Sequence, residues 1–325
     1  MTKMPKTVQR HRDSKSPVKD LRHPAADVFF EVFNIARMRG ELLGEAVILS
    51  AKVLRFPAGR ACFHVVHDGP CRFHLAGRSE AIHLSPGDIV FVPHGQGHHI
   101  EGGAFPSRMG KHSDNDAPAR ITSGVFQFDG SGGQTLMLGL PELLHVACKP
   151  DAQPDAVGSR EWLSLTIAAM QKEVESPSIG SAVMLSRIID LMFIWAVRHW
   201  LASAPEGVTG WIAALRDPVM GHALALLHAE PGADWTVERL AALVNQSRSN
   251  LAHRFGRLVG QSPMRYLTHW RMQLAGQFLS SSSRRVSQIA EELGYQSEAA
   301  FSRAFRREFE LAPTEYRSRH GRQQP

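Results

Sequence analysis

Two periods of apolar residues divide the chain. Between Gly44 and Val146 apolar residues come in short runs rich in Val, Ile and Phe, such as Ala61 to Val66, Cys71 to Leu75, Ile89 to Val92 and Gly124 to Phe128. Turn-forming stretches separate them, among them His67-Asp68-Gly69-Pro70 and Ser85-Pro86-Gly87-Asp88. Many short strands at this spacing predict an antiparallel sandwich or barrel. Residues 102–118, rich in Gly, Pro, Ser, Asn and Asp, read as a mobile surface loop. On either side of this region the period lengthens to that of a helix. Asp27 to Met38 is amphipathic through Val28, Phe29, Val32, Phe33 and Ile35, and after Pro154 the runs Arg160 to Val174 and Ala182 to Ala202 are apolar at helical spacing. The last of these is apolar nearly all round, so it must bury more than one face, against its own domain or against a second subunit.

Toward the carboxy terminus the pattern repeats. Thr236 to Phe255 is echoed without a gap by Val286 to Phe305. Each copy predicts a short Ala-containing helix, a tight turn, a Ser N-cap (Ser247, Ser297) and a second helix bearing arginines. That order is the grammar of a helix-turn-helix, whose second helix enters the DNA major groove. A helix of about 17 residues from Pro263 would join the two units and, at roughly 25 Å, set them about one DNA turn apart.

Composition narrows the class. At 325 residues two domains are expected. The net charge of +6 favours a polyanionic partner, and its distribution says more. Residues 217–325 hold 14 Arg, no Lys and 10 Asp plus Glu, and the first 25 residues hold 7 Lys plus Arg against 2 Asp. The expected organisation is a disordered basic tail over 1–24, which either touches DNA or is merely solvated. A β domain follows over 25–150, a helical linker or dimerisation segment over 151–204, and an interdomain linker over 205–216 introduced by Pro205 and two glycines. Residues 217–325 form the all-α DNA-binding domain. The fold class is thus α+β and multidomain. Cys62, Cys71 and Cys148 are odd in number and lack zinc-ribbon spacing, which points to a reducing cytoplasm. The amino terminus has no apolar signal segment, and Ile188 to Leu201 is short and interrupted by Asp190, Arg198 and His199, so no membrane span is expected.

Two resemblances follow from these residues. The second unit, with Ile289-Ala290, Gly294-Tyr295, Ser297, Phe301, Arg303, Phe305, Pro313 and Tyr316-Arg317, resembles the signature of AraC/XylS-type transcription regulators. Pro263, Tyr266-Leu267, Arg271 and Ala275 are similar to the family's pattern for the joining helix. Gly87 to His98 matches the second cupin motif, G-x5-P-x-G-x2-H, and Phe63 to Gly69 resembles a degenerate first one. Residues 27–148 therefore resemble the cupin sensor half of one branch of that family, an antiparallel β-barrel. The resemblance implies a homodimeric regulator that binds double-stranded DNA, responds to a small-molecule effector and has RNA polymerase as a further candidate partner.

Helical phase assigns the contacts. Leu251 and Phe255 face inward in the first unit, which leaves Ser249, Ala252 and His253 for bases. In the second, Phe301 and Phe305 leave Glu298, Ala299, Ser302 and Arg303, of which Arg303 is the strongest base reader because arginine can grip guanine with two hydrogen bonds. Ser247, Arg254, Arg257, Ser297, Arg306 and Arg307 are assigned to phosphates. Family members often have Gly after the second recognition helix where this chain has Glu310, which a left-handed cap would strain.

For the sensor half, His64, His98 and His94 are the candidate effector or metal ligands, with His74 or Cys62 able to complete a site for a divalent metal in the barrel. Metal cupins carry His-x-His, but Val66 follows His64 at the second position. No nucleophile and base pair is evident, so an enzyme is not expected. The competing readings are a metal-dependent cupin enzyme fused to a DNA-binding domain and a redox- or metal-responsive regulator. For the redox reading, a hairpin at 67–70 would set Cys71 opposite Val66, away from Cys62, and Ser123-Gly124 stands where relatives often have Cys-Gly.

Overall fold

The computed structural model describes residues 24–103, 117–128, 132–147, 159–205 and 207–321. The basic tail before Pro24, nearly all of the expected 102–118 loop and Cys148 lie outside them. Helix α1 (Pro24–Ala36) buries Val28, Val32 and Ile35 on one stripe. Strands β1 (Met38–Ile48), β2 (Val53–Phe56), β3 (Cys62–Asp68), β4 (Cys71–Leu75), β5 (Ile82–Leu84), β6 (Ile89–Val92), β7 (His98–Gly102) and β8 (Ala119–Phe128) follow, then the short helix α2 (Gly133–Leu138) and β9 (Leu144–Val146). They pair antiparallel in two sheets, ordered β1-β8-β3-β6-β9 and β2-β7-β4-β5.

This differs from the expected closed barrel. Among the described residues no ladder closes the sheets into one, and an isolated bridge joins Ser50, just after β1, to Gly102 at the end of β7. Strands of the second sheet are three to five residues long and end at turns, too short to bend round into the first sheet. The expected hairpin at 67–70 is also absent: β3 pairs with β6 and β8, while β4 pairs with β5 and β7. His67 to Pro70 carries the chain from one sheet to the other.

Strand β3 is buried at six consecutive positions, because both of its faces are covered. Cys62 and Val66 point between the sheets toward Phe73, Leu75 and Ile100. Phe63 and Val65 point the other way, into the core shared with helix α4 (Ser181–Ser203), whose Phe193 ring meets Phe91 and Phe126 at 6.0 and 5.2 Å. Strand β7 alternates instead, since its outer face meets solvent. Helix α3 (Ser159–Glu175) packs on α4. The apolar excess of α4 is thereby largely absorbed within its own domain, although Val183 and Met184 remain exposed, as do Trp162 and Leu165 on α3.

The stretch expected as a linker, 205–216, contains the short helix α5 (Trp211–Ala214), and all four of its residues are buried. Trp211 donates its indole N–H to the carbonyl of Thr135 at 2.9 Å and stacks on Phe29 at 6.4 Å. Large aromatic area and a satisfied N–H make this segment a joint rather than a spacer. Helix α6 (Pro218–Ala229) is capped by Asp217, which accepts from Val219 and Met220, and it packs against α1.

The carboxy-terminal domain comprises α7 (Val237–Leu243), α8 (Arg248–Val259), α9 (Pro263–Ser281), α10 (Val286–Glu292), α11 (Glu298–Phe309) and α12 (Pro313–His320). Its halves are copies with one offset. The first helices correspond at a spacing of 49 residues and the second at 50, so the second turn holds an extra residue and the echo is not gapless. The left-handed residue is Asn245 (φ 54°) in the first turn and Gly294 (φ 75°) in the second. Helix α9 serves both units, with Tyr266, Leu267 and Trp270 in the core around Leu251 and Phe255, and Met272, Ala275 and Leu279 in that around Phe301 and Phe305.

Gly294 and Glu310 give opposite predictions. A Cβ at Gly294 would collide with the carbonyl oxygen of Gly232, in addition to the left-handed strain. Gly294→Ala should therefore lose about 2 kcal/mol or more of stability. Glu310 occupies the left-handed cap of α11 at φ 59°, and Glu310→Gly should gain about 1 kcal/mol. Urea denaturation of the full chain and both variants measures the two signs.

Candidate DNA interface and sensor cavity

Each recognition helix begins on a serine. Ser247 accepts from the Asn250 N–H and Ser297 from the Ala300 N–H, both at 3.2 Å, which aims the remaining free N–H groups of α8 and α11 outward. Inward burial of Leu251 and Phe255, and of Phe301, Ala304 and Phe305, sets the helical phase. On the opposite faces Ser249, Ala252 and His253 on α8, and Glu298, Ala299 and Arg303 on α11, are exposed, with Ser302 half-buried. Arg303, Arg306 and Arg307 line one groove of about 590 Å³ with Thr268 of α9 and Tyr295. With Arg271 also on its wall, the groove presents four guanidinium groups, an electrostatic complement to a phosphate backbone.

Arg257 is exposed on α8, but Arg254 is drawn back to Asp217, the cap of α6. That carboxylate competes for the guanidinium assigned to phosphate, and the sequence gap of 37 residues left the pair invisible to helical phase. A role for Arg271 also went unseen. It donates to the carbonyls of Pro231 and Ala233 at 2.6 and 2.9 Å and lies over the Tyr295 ring, tying the loop before unit one to the turn of unit two. Arg271 was legible as a motif residue on the joining helix, but nothing in the local pattern names its partners.

Two hydrogen-bond chains cross from the sensor half into the DNA-binding half. Buried His228 on α6 contacts Glu31 of α1 through Nδ1 at 2.9 Å and the Tyr266 hydroxyl of α9 through Nε2 at 2.8 Å. Thr135 of α2 contacts His269 Nε2 at 2.8 Å, and His269 Nδ1 contacts Glu308 at 2.6 Å on the second recognition helix. The β domain is thus linked through side chains to the helix that carries Arg303.

Inside the β domain, Cys62 and His64 on β3 converge with His98 on β7, all buried and with their donor atoms within 4.8 Å of one another. Phe56 and Phe73 stack on the His98 ring and meet His64 at a tilt, so that both imidazoles are held by aromatic contacts. Burial lowers the pKa of His64 well below its ordinary value, helped by His98 alongside, and lowers that of His98 too. Burial pushes the Cys62 thiol up to about 12, and Cys71 likewise, against the reactive thiolate that the redox reading needs. His98 also lines a surface cleft of about 610 Å³ with Arg55, Phe56, His74 and Arg78.

His94 and His74 do not join the cluster. Exposed His94 donates to the Leu140 carbonyl at 3.0 Å, because the Pro93-to-Gly95 turn directs it outward. His74 stacks on His99 at 4.5 Å and faces Glu101, since alternation along β4 places it on the outer face of the second sheet. The third donor is Cys62, two residues before His64. Of the two residues expected to be able to complete the site, His74 and Cys62, the alternation along β3 brings only Cys62 to the face that His64 shares.

Comparison with known proteins gives a consistent result. The cupin family matches residues 27–202, and a helix-turn-helix domain matches 240–319. A putative AraC-like transcription regulator of Streptomyces lividans is 31% identical over 309 residues, covering 90% of this chain and 98% of that one. The HTH-type transcriptional regulator AlkR of Acinetobacter baylyi is 32% identical, covering 78% and 86%. RclR of Escherichia coli, described as an RCS-specific HTH-type transcriptional activator, is 30% identical, covering 79% and 84%.

His228 predicts a pH dependence. Burial holds its pKa below the ordinary 6.5 despite Glu31, so the unfolded chain takes up a proton that the folded chain refuses. Its contribution is complete above pH 6.5 and is lost as pH falls from 6.5 toward the depressed folded value, at up to about 1.4 kcal/mol per pH unit. Denaturant titrations at stepped pH should show this decline, and His228→Gln should make it shallower, with the buried His64 and His98 retaining their share.

Proposed function

This chain belongs to the AraC-like helix-turn-helix transcription regulators with an amino-terminal cupin domain, and from that premise we propose how it works. It is a DNA-binding regulator whose amino-terminal half is a ligand-binding domain. In our reading α8 and α11 enter two adjacent major grooves of double-stranded DNA. The observation that carries it is the paired geometry itself: two serine-capped twelve-residue helices, each with an outward polar face, mounted on the single helix α9. At 1.5 Å per residue the 19 residues of α9 extend about 28 Å, close to one turn of DNA.

The two helices divide the work unequally. Arg303, Glu298 and Ser302 supply base recognition, whereas Ser249 and Ala252 offer little reach and leave His253 as the longer donor on α8. Arg257, Arg306 and Arg307, with the capped helix starts at Ser247 and Ser297, hold the phosphates. An effector bound in the β domain would act through Thr135–His269–Glu308 and Glu31–His228–Tyr266, provided it favours one arrangement of those contacts over the other. The exposed apolar groups of α3 and α4 support a homodimer, and action on DNA would put the regulator in the cytoplasm. RNA polymerase is the partner through which such a regulator would act on a promoter.

The division between base and phosphate contacts is directly testable. Arg303→Ala should relax preference at one base position, at about 1 to 3 kcal/mol of discrimination. Arg257→Ala should weaken binding to all sequences alike and reduce the salt slope by about one phosphate contact. Selection from a random DNA pool with each variant, followed by binding at several salt concentrations, separates the two; identical behaviour of the variants would refute the assignment.

A further inference from the structure

The cluster on β3 and β7 has the composition and shape of a ligand set. We infer that Cys62, His64 and His98 bind one borderline transition-metal ion of the Zn²⁺ class, which staples the two sheets together. As a sensor site this rests on the reading above; as a binding site it rests on the geometry alone. The two imidazole Nε2 atoms lie 2.8 Å apart, and Cys62 Sγ lies 3.9 Å from His64 Nε2 and 3.7 Å from His98 Nε2. Around a tetrahedral ion with metal–nitrogen bonds of about 2.0 to 2.1 Å and a metal–sulfur bond of about 2.3 Å, such donors stand roughly 3.3 to 3.6 Å apart. The observed triangle brackets that range, and a small outward turn of the rings opens it to an ion.

Groups behind the donors orient them for this role. His98 Nδ1 donates to the Gln96 carbonyl at 2.8 Å, which fixes the tautomer with a bare Nε2 facing the cluster. His64 Nδ1 lies 2.8 Å from the Ser123 hydroxyl, a group able to accept as well as donate. Without an ion, Ser123 donates to His64 Nδ1, and His64 Nε2–H donates to His98. With an ion, the His64 proton moves to Nδ1 and is accepted by Ser123, freeing Nε2. Metal–nitrogen bonds then form to both imidazoles and a metal–sulfur bond to Cys62, whose thiol proton is released to solvent, one per ion. The metal's oxidation state does not change. A thiolate with two imidazoles selects Zn²⁺-class ions over Mg²⁺ or Ca²⁺.

Among the described residues no further His, Cys, Asp or Glu joins the three, and Zn²⁺ takes four donors. The fourth position therefore belongs to water or to a small donor molecule. His98 is shared with the neighbouring cleft, which carries Arg55 and Arg78 and so complements an anionic donor. In this arrangement the sensor's effector would reach the ion from that cleft.

The test uses the full chain, stripped with a chelator and titrated with Zn²⁺ and with Co²⁺. One ion per chain is expected, with a near-ultraviolet thiolate-to-cobalt band, one proton released per ion and a raised melting temperature. Cys62→Ser should abolish the band. His98→Gln should lower affinity at least tenfold, and Ser123→Ala about tenfold, as for groups that orient a ligand. His94→Gln should change nothing. Should Cys62→Ser fail to fold, the His98 and Ser123 variants still decide the matter. Substoichiometric uptake, or full uptake retained by Cys62→Ser and His98→Gln, overturns the inference. A chain that binds selected DNA but takes up no metal overturns the ion alone, whereas one that takes up metal but binds no DNA overturns the regulator and leaves the ion standing.

Discussion

Burial of one helix, α9, on two sides is the constraint from which the rest of this architecture follows. Tyr266 and Trp270 lie in the core of the first helix-turn-helix unit, and His228 stacks on Trp270 at 4.0 Å. One turn further along, Met272, Ala275 and Leu279 enter the core of the second unit. Two hydrophobic cores that share one rod, one of them continuous with the core of the sensor half, cannot rotate independently without exposing it. Full burial of a large apolar side chain contributes about 1.5 to 3 kcal/mol, so displacing α9 would expose several such groups together. The spacing of the recognition helices is therefore a property of packing rather than of a flexible tether.

The same core reaches into the sensor half. Val28 and Val32 of α1 and Trp211 of α5 belong to the cluster that includes Leu251 and Phe255. Regulators need their domains coupled, and coupling requires contacts that differ between states. Apolar contacts supply adhesion, whereas His228 and His269 each have one partner from the sensor half and one from the DNA-binding half. The chain through His228 is buried at the imidazole and that through His269 half-buried, and a short hydrogen bond in either tolerates little displacement before a donor loses its partner. In the proposed mechanism, a change in the β domain that shifts α1 or α2 by a small amount would be felt at Tyr266 and Glu308.

Much of the DNA-binding half was legible in the chain. Period, serine caps, the left-handed turn and the outward set on each helix all follow from local rules, and the structure bears out Gly294, Glu310, Ser247 and Ser297 in those conformations. The one-residue difference between the turns was hidden because similar residues align across it without a gap. Arg254 and Arg271 were visible as cations, but their partners are far off in sequence and no periodicity predicts a contact over such distances.

The β domain shows the opposite balance. Its class, its turns and the inward His98 are written in alternation and in the Gly-Pro spacing, which depend on neighbours two residues apart. Which strands pair depends on long-range closure, so the hairpin expected at 67–70 gave way to a crossing between sheets. The convergence of Cys62 and His64 with His98 exists only because two sheets face each other. Local physics, set by backbone sterics and side-chain period, determined the elements and the recognition faces of this protein. Tertiary packing decided which distant donors meet, because burial rewards the whole core at once and no single segment encodes it.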